Sequence, residues 1–262
     1  MNPATWISKT GLQAQDDKLE TIANNLANAN TVGFKRDRTV FADLSYQIER
    51  QPGAQTSDGT LSPSGVQLGN GTRLVGTQKD FTMGSLQTTG QSLDVAINGQ
   101  GFLQIALASG ETAYTRAGQL QLNATGQLVT ANGLPVSPAV TIPANSTAVT
   151  IGETGVVSVT VAGKTEPTTV GQITLANFIN PTGLVALGNN LFQETSASGP
   201  PTVGDPGTES FGTLQQGSLE GSNVSVVEEM VDMIAAQRTY EMNTKVLSAA
   251  DNMLQLLAQA AH

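Results

Sequence analysis

Apolar residues at helical spacing dominate the C-terminal stretch of the chain, residues 222–262, where neither Gly nor Pro occurs. A row that recurs every seven positions is typical of a helix with one apolar stripe. The row and its two flanking residues are Val226, Met233, Tyr240, Leu247 and Leu254, with Met230 and Ile234. Ser225 and Glu228 have the spacing of a capping box, which predicts where the helix begins.

This C-terminal helix has little charge with which to face solvent. Between Val246 and His262 the only charged residue is Asp251. At about 1.5 Å per residue the helix would extend roughly 55 Å, which is more than a compact domain of this chain could cover. We therefore predict that the helix packs in a bundle or in a polymer.

A second amphipathic helix is predicted at the N terminus. Asn2 and Pro3 suit the N-cap and the first helical position. The apolar row of this helix repeats every seven residues and is flanked by an isoleucine, and its members are Leu12, Leu19 and Leu26, with Ile22. The helix should end near Asn30, and Gly33 is placed to supply a left-handed exit.

Uncharged amides mark the end of this N-terminal helix. Asn24 and Asn28 lie one turn apart, on a face roughly opposite Ile22 and Leu26. The pattern is compatible with an ordinary amphipathic helix that has an Asn-rich end. It is equally compatible with a face that forms hydrogen bonds with another protein surface without burying a charge. The residues alone leave both interpretations open.

Residues 35–71 show no clear period. The pattern is irregular from Lys35 to Tyr46, and a stretch rich in Ser, Thr, Gly and Gln then runs through Pro63 to Gly71. We interpret it either as a flexible linker or as an extended arm that is ordered only by contact with other subunits. The composition alone favours the linker.

The middle of the chain, residues 72–221, alternates apolar and polar residues in short runs, and residues 72–209 read as β structure. Residues 98–101, 123–126 and 152–155 read as turns between such runs, whereas residues 196–207 read as a loop. Short strands joined by local turns predict antiparallel pairing in a small sandwich or barrel-like domain.

The predicted fold class is therefore α+β, with long N- and C-terminal helices whose stripes can pair with each other and an inserted antiparallel all-β domain. The predicted boundaries are 1–34 for the N-terminal helix, 35–71 for the arm or linker, 72–221 for the β domain and 222–262 for the C-terminal helix.

Composition narrows the possible functions. Charged residues make up 13% of the chain, the net charge is −9, and the only basic cluster is residues 35–38, so nucleic acid is not an expected partner. The absence of cysteine excludes disulfides and thiol chemistry. No apolar run has the length of a membrane span, and the first residues lack the pattern of a cleaved signal peptide.

Candidate catalytic residues are scarce. The single histidine is the last residue, His262, and residues 217–221 have the wrong spacing for a nucleophile elbow. Residues 69–71 lack the third glycine of a dinucleotide-binding loop. Asp16 and Asp17 are adjacent in a helix, so their carboxylates point to different faces. We therefore expect no enzyme activity, no catalytic, metal or cofactor site, and no small-molecule substrate.

Several motifs carry a resemblance to a known family. They are residues 21–35 (TIANNLANANTVGFK), 93–102 (LDVAINGQGF), 114–118 (YTRAG), 229–234 (EMVDMI) and 237–243 (QRTYEMN), followed by Lys245. These motifs resemble the signatures of the bacterial flagellar rod and hook proteins, and the resemblance covers the whole chain. Leu103 departs from the family pattern, which often has a second Phe there. Within the family, residues 51–55 (QPGAQ) and 63–65 (PSG) are most similar to the distal rod type.

The resemblance implies a structural subunit that self-assembles into a rigid tubular distal rod, the drive shaft that links motor and hook around a central export channel. The two terminal helices would form a coiled-coil-like tube wall, with the β domain outside it. The implied partners are other copies of the chain, other axial proteins (proximal rod and hook), the surrounding basal-body rings and the type III export apparatus. The implied location is the flagellar basal body, in the part of the rod that crosses the periplasm.

The resemblance also indicates which residues make assembly contacts. It favours subunit contacts for the Asn-rich face of the N-terminal helix and an arm, rather than a linker, for residues 35–71. In the N-terminal motif these residues are Leu19, Ile22, Asn24, Asn25, Leu26, Asn28, Gly33 and Phe34. In the C-terminal helix they are Met230, Met233, Ile234, Gln237, Arg238, Tyr240, Leu247 and Leu254. In the arm they are Gln51, Pro52, Gly53 and Pro63.

Two alternative functions remain. A proximal rod or hook protein of the same family would share the terminal motifs, and the straight or curved shape of the tube would distinguish it from a distal rod protein. A secreted β-rich hydrolase would need a catalytic constellation, and turnover of peptidoglycan or polysaccharide by the purified protein would support it.

Overall fold

The computed structural model describes residues 3–53, 55–57, 60–61, 63–163, 166–208 and 210–260. Over these residues the chain is an α+β protein with two α-helices and many antiparallel strands. The helices are α1 (Pro3–Ala27) and α2 (Val226–Ala260), and a 3₁₀ turn spans Pro181–Gly183. The strands are β1 (Asp37–Asp43), β2 (Gln47–Arg50), β3 (Gln55–Ser57), β4 (Thr60–Leu61), β5 (Val66–Leu68), β6 (Thr72–Lys79), β7 (Leu86–Thr88), β8 (Val95–Asn98), β9 (Phe102–Ala106), β10 (Thr112–Thr115), β11 (Leu120–Leu122), β12 (Leu128–Thr130), β13 (Val136–Ser137), β14 (Ser146–Ile151), β15 (Val156–Val161), β16 (Thr168–Gln172), β17 (Leu175–Asn177), β18 (Val185–Gly188), β19 (Leu191–Gln193), β20 (Thr202–Gly204), β21 (Thr213–Gln216) and β22 (Ser218–Glu220).

The chain divides into two compact units. Unit 1 consists of Met1–Ala27, Asp37–Gln78 and Ser225–His262, and it holds both helices, strands β1 to β5 and nearly all of β6. Unit 2 consists of Asn28–Arg36 and Lys79–Val224, and it holds the remaining strands.

Helix α1 ends at Ala27, before the predicted end near Asn30. Two successive turns follow, in which the amide of Thr31 donates to the carbonyl of Asn28 and the amide of Phe34 donates to the carbonyl of Thr31. The Asn28 side chain accepts a bond from the Thr31 hydroxyl, and such local bonds compete with the helical ones. Gly33 does adopt the predicted left-handed conformation, with φ of 69°.

In unit 1 the irregular segment after Lys35 forms strand β1, which pairs with β6 and packs on α1. The sequence did not predict β1 because most of its residues are half-buried, so no polar–apolar alternation marks a buried face. Strands β2 and β5 form a two-stranded ribbon within the proposed arm, and their side chains are exposed on both faces.

The largest sheet of unit 2 has the strand order β18-β19-β10-β9-β17-β20, and β13 also pairs with β9. Strand β20 lies within residues 196–207, which were predicted to be a loop. This prediction was wrong because a three-residue edge strand after two prolines carries too few positions to show a period.

Two predicted hairpins of unit 2 are confirmed. Strand β11 pairs with β12 across residues 123–126, and β14 pairs with β15 across residues 152–155. Local pairing across residues 98–101 was predicted as well, but it does not occur. Strand β8 pairs with β21, whereas β9 belongs to the large sheet, and the carbonyls of Gly99 and Gly101 in the segment that joins them accept from the Arg116 side chain.

Unit 2 has a large apolar core. Its main cluster includes Leu103, the residue that departs from the family pattern, and this side chain is completely buried. A second cluster contains edge-to-face aromatic pairs among Phe81, Phe102, Tyr114, Phe178 and Phe192. Among the described residues, neither helix is both long and apolar enough to cross a membrane.

Candidate functional site

The most extensive packing between elements of unit 1 is between α1 and α2. Three contacts set the register of this pair. Lys18 Nζ lies 3.6 Å from the Asp232 carboxylate, and Asn25 Nδ2 donates to Glu229 Oε1 at 3.2 Å. A Cβ at Gly11 would lie 3.1 Å from Asn243 Nδ2. Because residue numbers rise along one helix as they fall along the other, the two helices are antiparallel.

Small and polar residues lie innermost in this helical pair. On α2 they form a second heptad row, Glu229, Ala236, Asn243 and Ala250, three positions after the predicted apolar row. The predicted row borders the pairing surface, where Met233 and Leu247 are half-buried and Tyr240 and Leu254 are exposed. Alanine and glycine take up little space at the contact, and a Cβ at Gly11 would press on the Asn243 side chain. The apolar row is therefore only partly covered within one chain.

Asn25 joins three elements of unit 1. Its side chain is buried, and its Oδ1 accepts from the Asp37 amide at 2.8 Å while its Nδ2 donates to the Asp37 carbonyl at 2.9 Å. The same Nδ2 donates to Glu229 on α2. Asn25 thereby ties the end of α1 to the beginning of β1 and to the first turns of α2. A helical amide with this many partners stabilises one specific arrangement of these elements.

The other predicted residues of the N-terminal motif lie in two environments. In unit 1, Ile22 is buried, Leu19 and Leu26 are half-buried, and Asn24 is exposed. The rest of the motif belongs to unit 2, where Asn28 is half-buried and Gly33 and Phe34 are buried. The motif therefore spans both units.

The outward face of α2 is apolar in its first turns. Val227, Val231 and Ile234 lie on the side of the helix opposite Glu229 and Ala236, and Val227 is 74% exposed. Further along, the exposed residues Arg238, Glu241 and Lys245 lie on this side, and exposed apolar side chains recur near them at Met242, Met253 and Leu256. The predicted residues Met230, Gln237 and Arg238 are also exposed on α2. An exposed apolar surface of this length is typical of a protein–protein contact.

The last turns of α2 extend beyond α1. The register of the pair places Pro3, the first residue of α1, level with Asp251. Ala250 is buried, whereas residues 251–256 are all exposed. Helix α2 therefore presents free surface at its end as well as along its outward face.

The predicted arm residues lie on the exposed β2–β5 ribbon. Gln51, Pro52, Gly53 and Pro63 are all exposed, next to a pairing that joins Arg50 to Val66. A Cβ at Gly65 would lie 2.5 Å from the Arg50 carbonyl oxygen, so this position requires glycine.

Unit 2 contains a buried ionic cluster that the sequence pattern did not predict. Glu220 is 0% exposed, and its carboxylate accepts from Lys35 Nζ at 2.5 Å, from Arg116 Nη1 at 2.9 Å and from the Gly84 amide at 3.0 Å. Burial lowers the pKa of the Lys35 ammonium, and the Glu220 carboxylate opposes that shift. Burial likewise lowers the pKa of Arg116. Lys35 and Arg116 lie in motifs that the resemblance singled out, whereas nothing in the sequence around Glu220 indicates a buried carboxylate.

Within the described residues, no group of three or more His, Asp or Glu side chains is placed to hold a metal ion. The arrangement is suited to contacts with other protein chains, since it combines unsatisfied apolar surface with rigid polar joints.

Comparison with known protein families gives three matches along the chain. Residues 7–35 match the model described as "Flagella basal body rod protein". Residues 96–159 match "Flagellar hook protein FlgE/F/G D1 domain", and residues 215–260 match "Flagellar basal body rod FlgEFG protein C-terminal".

Similar proteins from several bacteria match over nearly their full length. The flagellar basal-body rod protein FlgG of Buchnera aphidicola is 52% identical over 259 residues, which cover 99% of this chain and 100% of the relative. The protein of the same name from Caulobacter vibrioides is 50% identical over 251 residues, covering 95% and 96%. The one from Bacillus subtilis is 38% identical over 255 residues, covering 95% of each.

Proposed function

The chain belongs to the flagellar rod and hook protein family, and we propose that it acts as a structural subunit that polymerises into the distal rod. It is a component of the bacterial flagellar basal body, in line with the names of its relatives. The single observation that supports the polymer role is the set of apolar side chains on the outward face of α2, such as Val227, Val231 and Ile234, which one copy of the chain leaves exposed.

In the rod, α1 and α2 of each copy would form a coiled-coil-like tube wall. The predicted row Met233, Tyr240, Leu247 and Leu254 and the outward face would then be covered by neighbouring copies. Residues 1–34 and 222–262 would form this wall, residues 35–71 an arm between subunits, and residues 72–221 a β domain outside it. The antiparallel pair supports this arrangement, because two apolar surfaces of α2 require partners on more than one side.

The proposed partners follow from the position of a rod in the basal body. Other copies of the chain would cover α2, and other axial proteins of the proximal rod and hook would join the ends of the polymer. The basal-body rings would surround it, and the type III export apparatus would deliver the subunits. We propose no enzymatic role, and rods that form as straight tubes would distinguish this function from that of a hook protein.

A pair of matched substitutions tests the polymer role. Val231→Glu places a charge on the outward face of α2, where the native side chain is 63% exposed, so the monomer should fold normally. We expect this variant to be produced at normal levels but to assemble no rods and to leave a strain that lacks the native protein immotile. Burial of an unpaired carboxylate at every subunit contact would cost several kcal/mol per copy.

The control is Val203→Glu, which makes the same change at a 51% exposed position in unit 2. This control should restore motility and give rods visible by electron microscopy of isolated basal bodies. Normal rods from Val231→Glu would show that the outward face of α2 is not a subunit contact.

A further inference from the structure

The chain passes between the two units only at the ends of three segments of unit 2. They are residues 28–36, the beginning of Lys79–Val224 and the end of that range. Backbone bonds join them, since the Gly33 amide donates to the Glu220 carbonyl at 2.8 Å and the Asp80 amide donates to the Arg36 carbonyl at 2.9 Å. The three segments therefore meet in one place, which we call the junction.

The Asn223 side chain joins the same three segments. Its Oδ1 accepts from the Arg36 amide at 2.8 Å, and its Nδ2 donates to the Asp80 carbonyl at 2.8 Å. Arg36 Nε also donates to the Asp80 carboxylate at 3.2 Å. One asparagine thus connects residues 28–36, the beginning of Lys79–Val224 and the end of that range.

The buried ionic cluster anchors this junction to the core. Lys35 Nζ donates to the Thr82 carbonyl at 2.6 Å as well as to Glu220, so it links all three segments. Arg116 follows strand β10 of the large sheet, and it donates to Glu220 and to the carbonyls of Gly99 and Gly101. Two cations therefore face one carboxylate, and every bond among them is shielded from water.

We propose that Lys35, Arg116 and Glu220 form a clamp, which holds the three connecting segments of unit 2 in one fixed arrangement. The directed hydrogen bonds of such a cluster specify one geometry, which apolar packing of the same volume does not. The mechanical consequence rests on the proposed function, since in a turning rod the covalent connections of unit 2 run through these segments. The clamp itself is a property of the single chain.

Hydrogen exchange on the free full-length chain tests the clamp. Glu220→Gln keeps the shape of the side chain but leaves two buried cations without a counter-charge. We expect the amides of Gly33, Arg36 and Asp80 to exchange roughly tenfold faster or more, while amides of β9 and β10 keep their protection. The matched control Glu153→Gln, at an exposed position of the same unit, should leave both sets unchanged.

A second variant decides the question if Glu220→Gln alone does not fold. Lys35→Met combined with Glu220→Gln restores the local net charge to that of the native cluster, because one cation and one anion are both removed. This variant should fold with its core protected and still lose protection at the junction. Native protection at the junction in this variant, or equal loss at the junction and in the core, would overturn the clamp.

Motility separates the clamp from the proposed function. If the native chain builds rods, the double variant should still assemble into rods. A strain that carries only this variant should swim more slowly in viscous medium than the strain with the native protein. Unchanged swimming despite a loosened junction would overturn the mechanical role. Failure of the native chain to build rods would instead refute the proposed function and leave the exchange result intact.

Discussion

The helical pair of unit 1 and the sheet core of unit 2 bury different kinds of side chain. Unit 2 encloses large residues such as Leu103, Ile105 and Leu175 completely. The helical pair encloses small or polar residues such as Ala236 and Ala250, and it leaves large apolar side chains of α2 in solvent. Because burial of large apolar side chains dominates stability, unit 2 has the features of a self-sufficient fold and unit 1 those of an incomplete one.

A matched pair of leucine substitutions should show the largest contrast between the units. Leu103→Ala opens a cavity in the core of unit 2, and we expect it to lower the free energy of unfolding by about 2–5 kcal/mol. Leu256→Ala, at a 64% exposed position on α2, should change it by less than about 0.5 kcal/mol. Thermal or urea unfolding of the free chain measures both values, and equal losses would contradict the comparison.

Amide exchange across the native chain should show the second largest effect. The helices bury little large apolar surface in a single copy, so their amides should open more readily than those of the sheet core. We expect amides in α1 and α2 to exchange about a hundredfold faster than amides in β9 and β10 of a verified monomer, a difference of about 2.7 kcal/mol. Equal protection in helices and sheet would mean that unit 1 is stable without assembly.

A pair of asparagine substitutions tests the polar joint of unit 1. Asn25→Ala removes the bonds to Asp37 and Glu229 and leaves their buried polar groups without this partner. We expect a loss of about 1–3 kcal/mol in the free energy of unfolding. The neighbouring change Asn24→Ala, at an exposed position, should cost less than about 0.5 kcal/mol. Similar losses for the two variants would argue against a joint at Asn25.

The smallest expected effect concerns pH and belongs to unit 2. Burial, followed by the nearby Glu194 carboxylate, raises the pKa of Tyr114 to about 12 from 10.0. Above pH 10 the unfolded chain loses this proton more readily than the folded chain, so stability falls as pH rises towards 12. At pH 11 the loss should be about 1 kcal/mol. Tyr114→Phe should remove this part of the pH dependence, whereas an unchanged pH profile would show that Tyr114 is not its source.

Regular patterns made much of the fold predictable. The heptad row of α2 and the hairpin turns at 123–126 and 152–155 needed only local spacing, and each predicts its own element. Strand β1 and the β2–β5 ribbon did not follow from the pattern, because neither has one buried face and one exposed face. Local rules also missed β20, which is too short to show a period.

Long-range polar contacts were the part of the site that the sequence could not indicate. Glu220 is buried because Lys35 and Arg116 approach it from distant positions in the chain, and no local pattern reports such a meeting. The sequence around Gly11 likewise does not indicate that this position lies next to Asn243 of α2. Both cases need the tertiary fold, since the partner is set by packing rather than by spacing.

The exposed β2–β5 ribbon has a consequence for how the chain can change over evolutionary time. Its strands have no buried face, so adding or removing a pair of residues disturbs no core and shifts no other register. The entropy of closing a longer loop rises only slowly with its length. The length of the ribbon can therefore vary between related proteins with little effect on the stability of the rest of the chain.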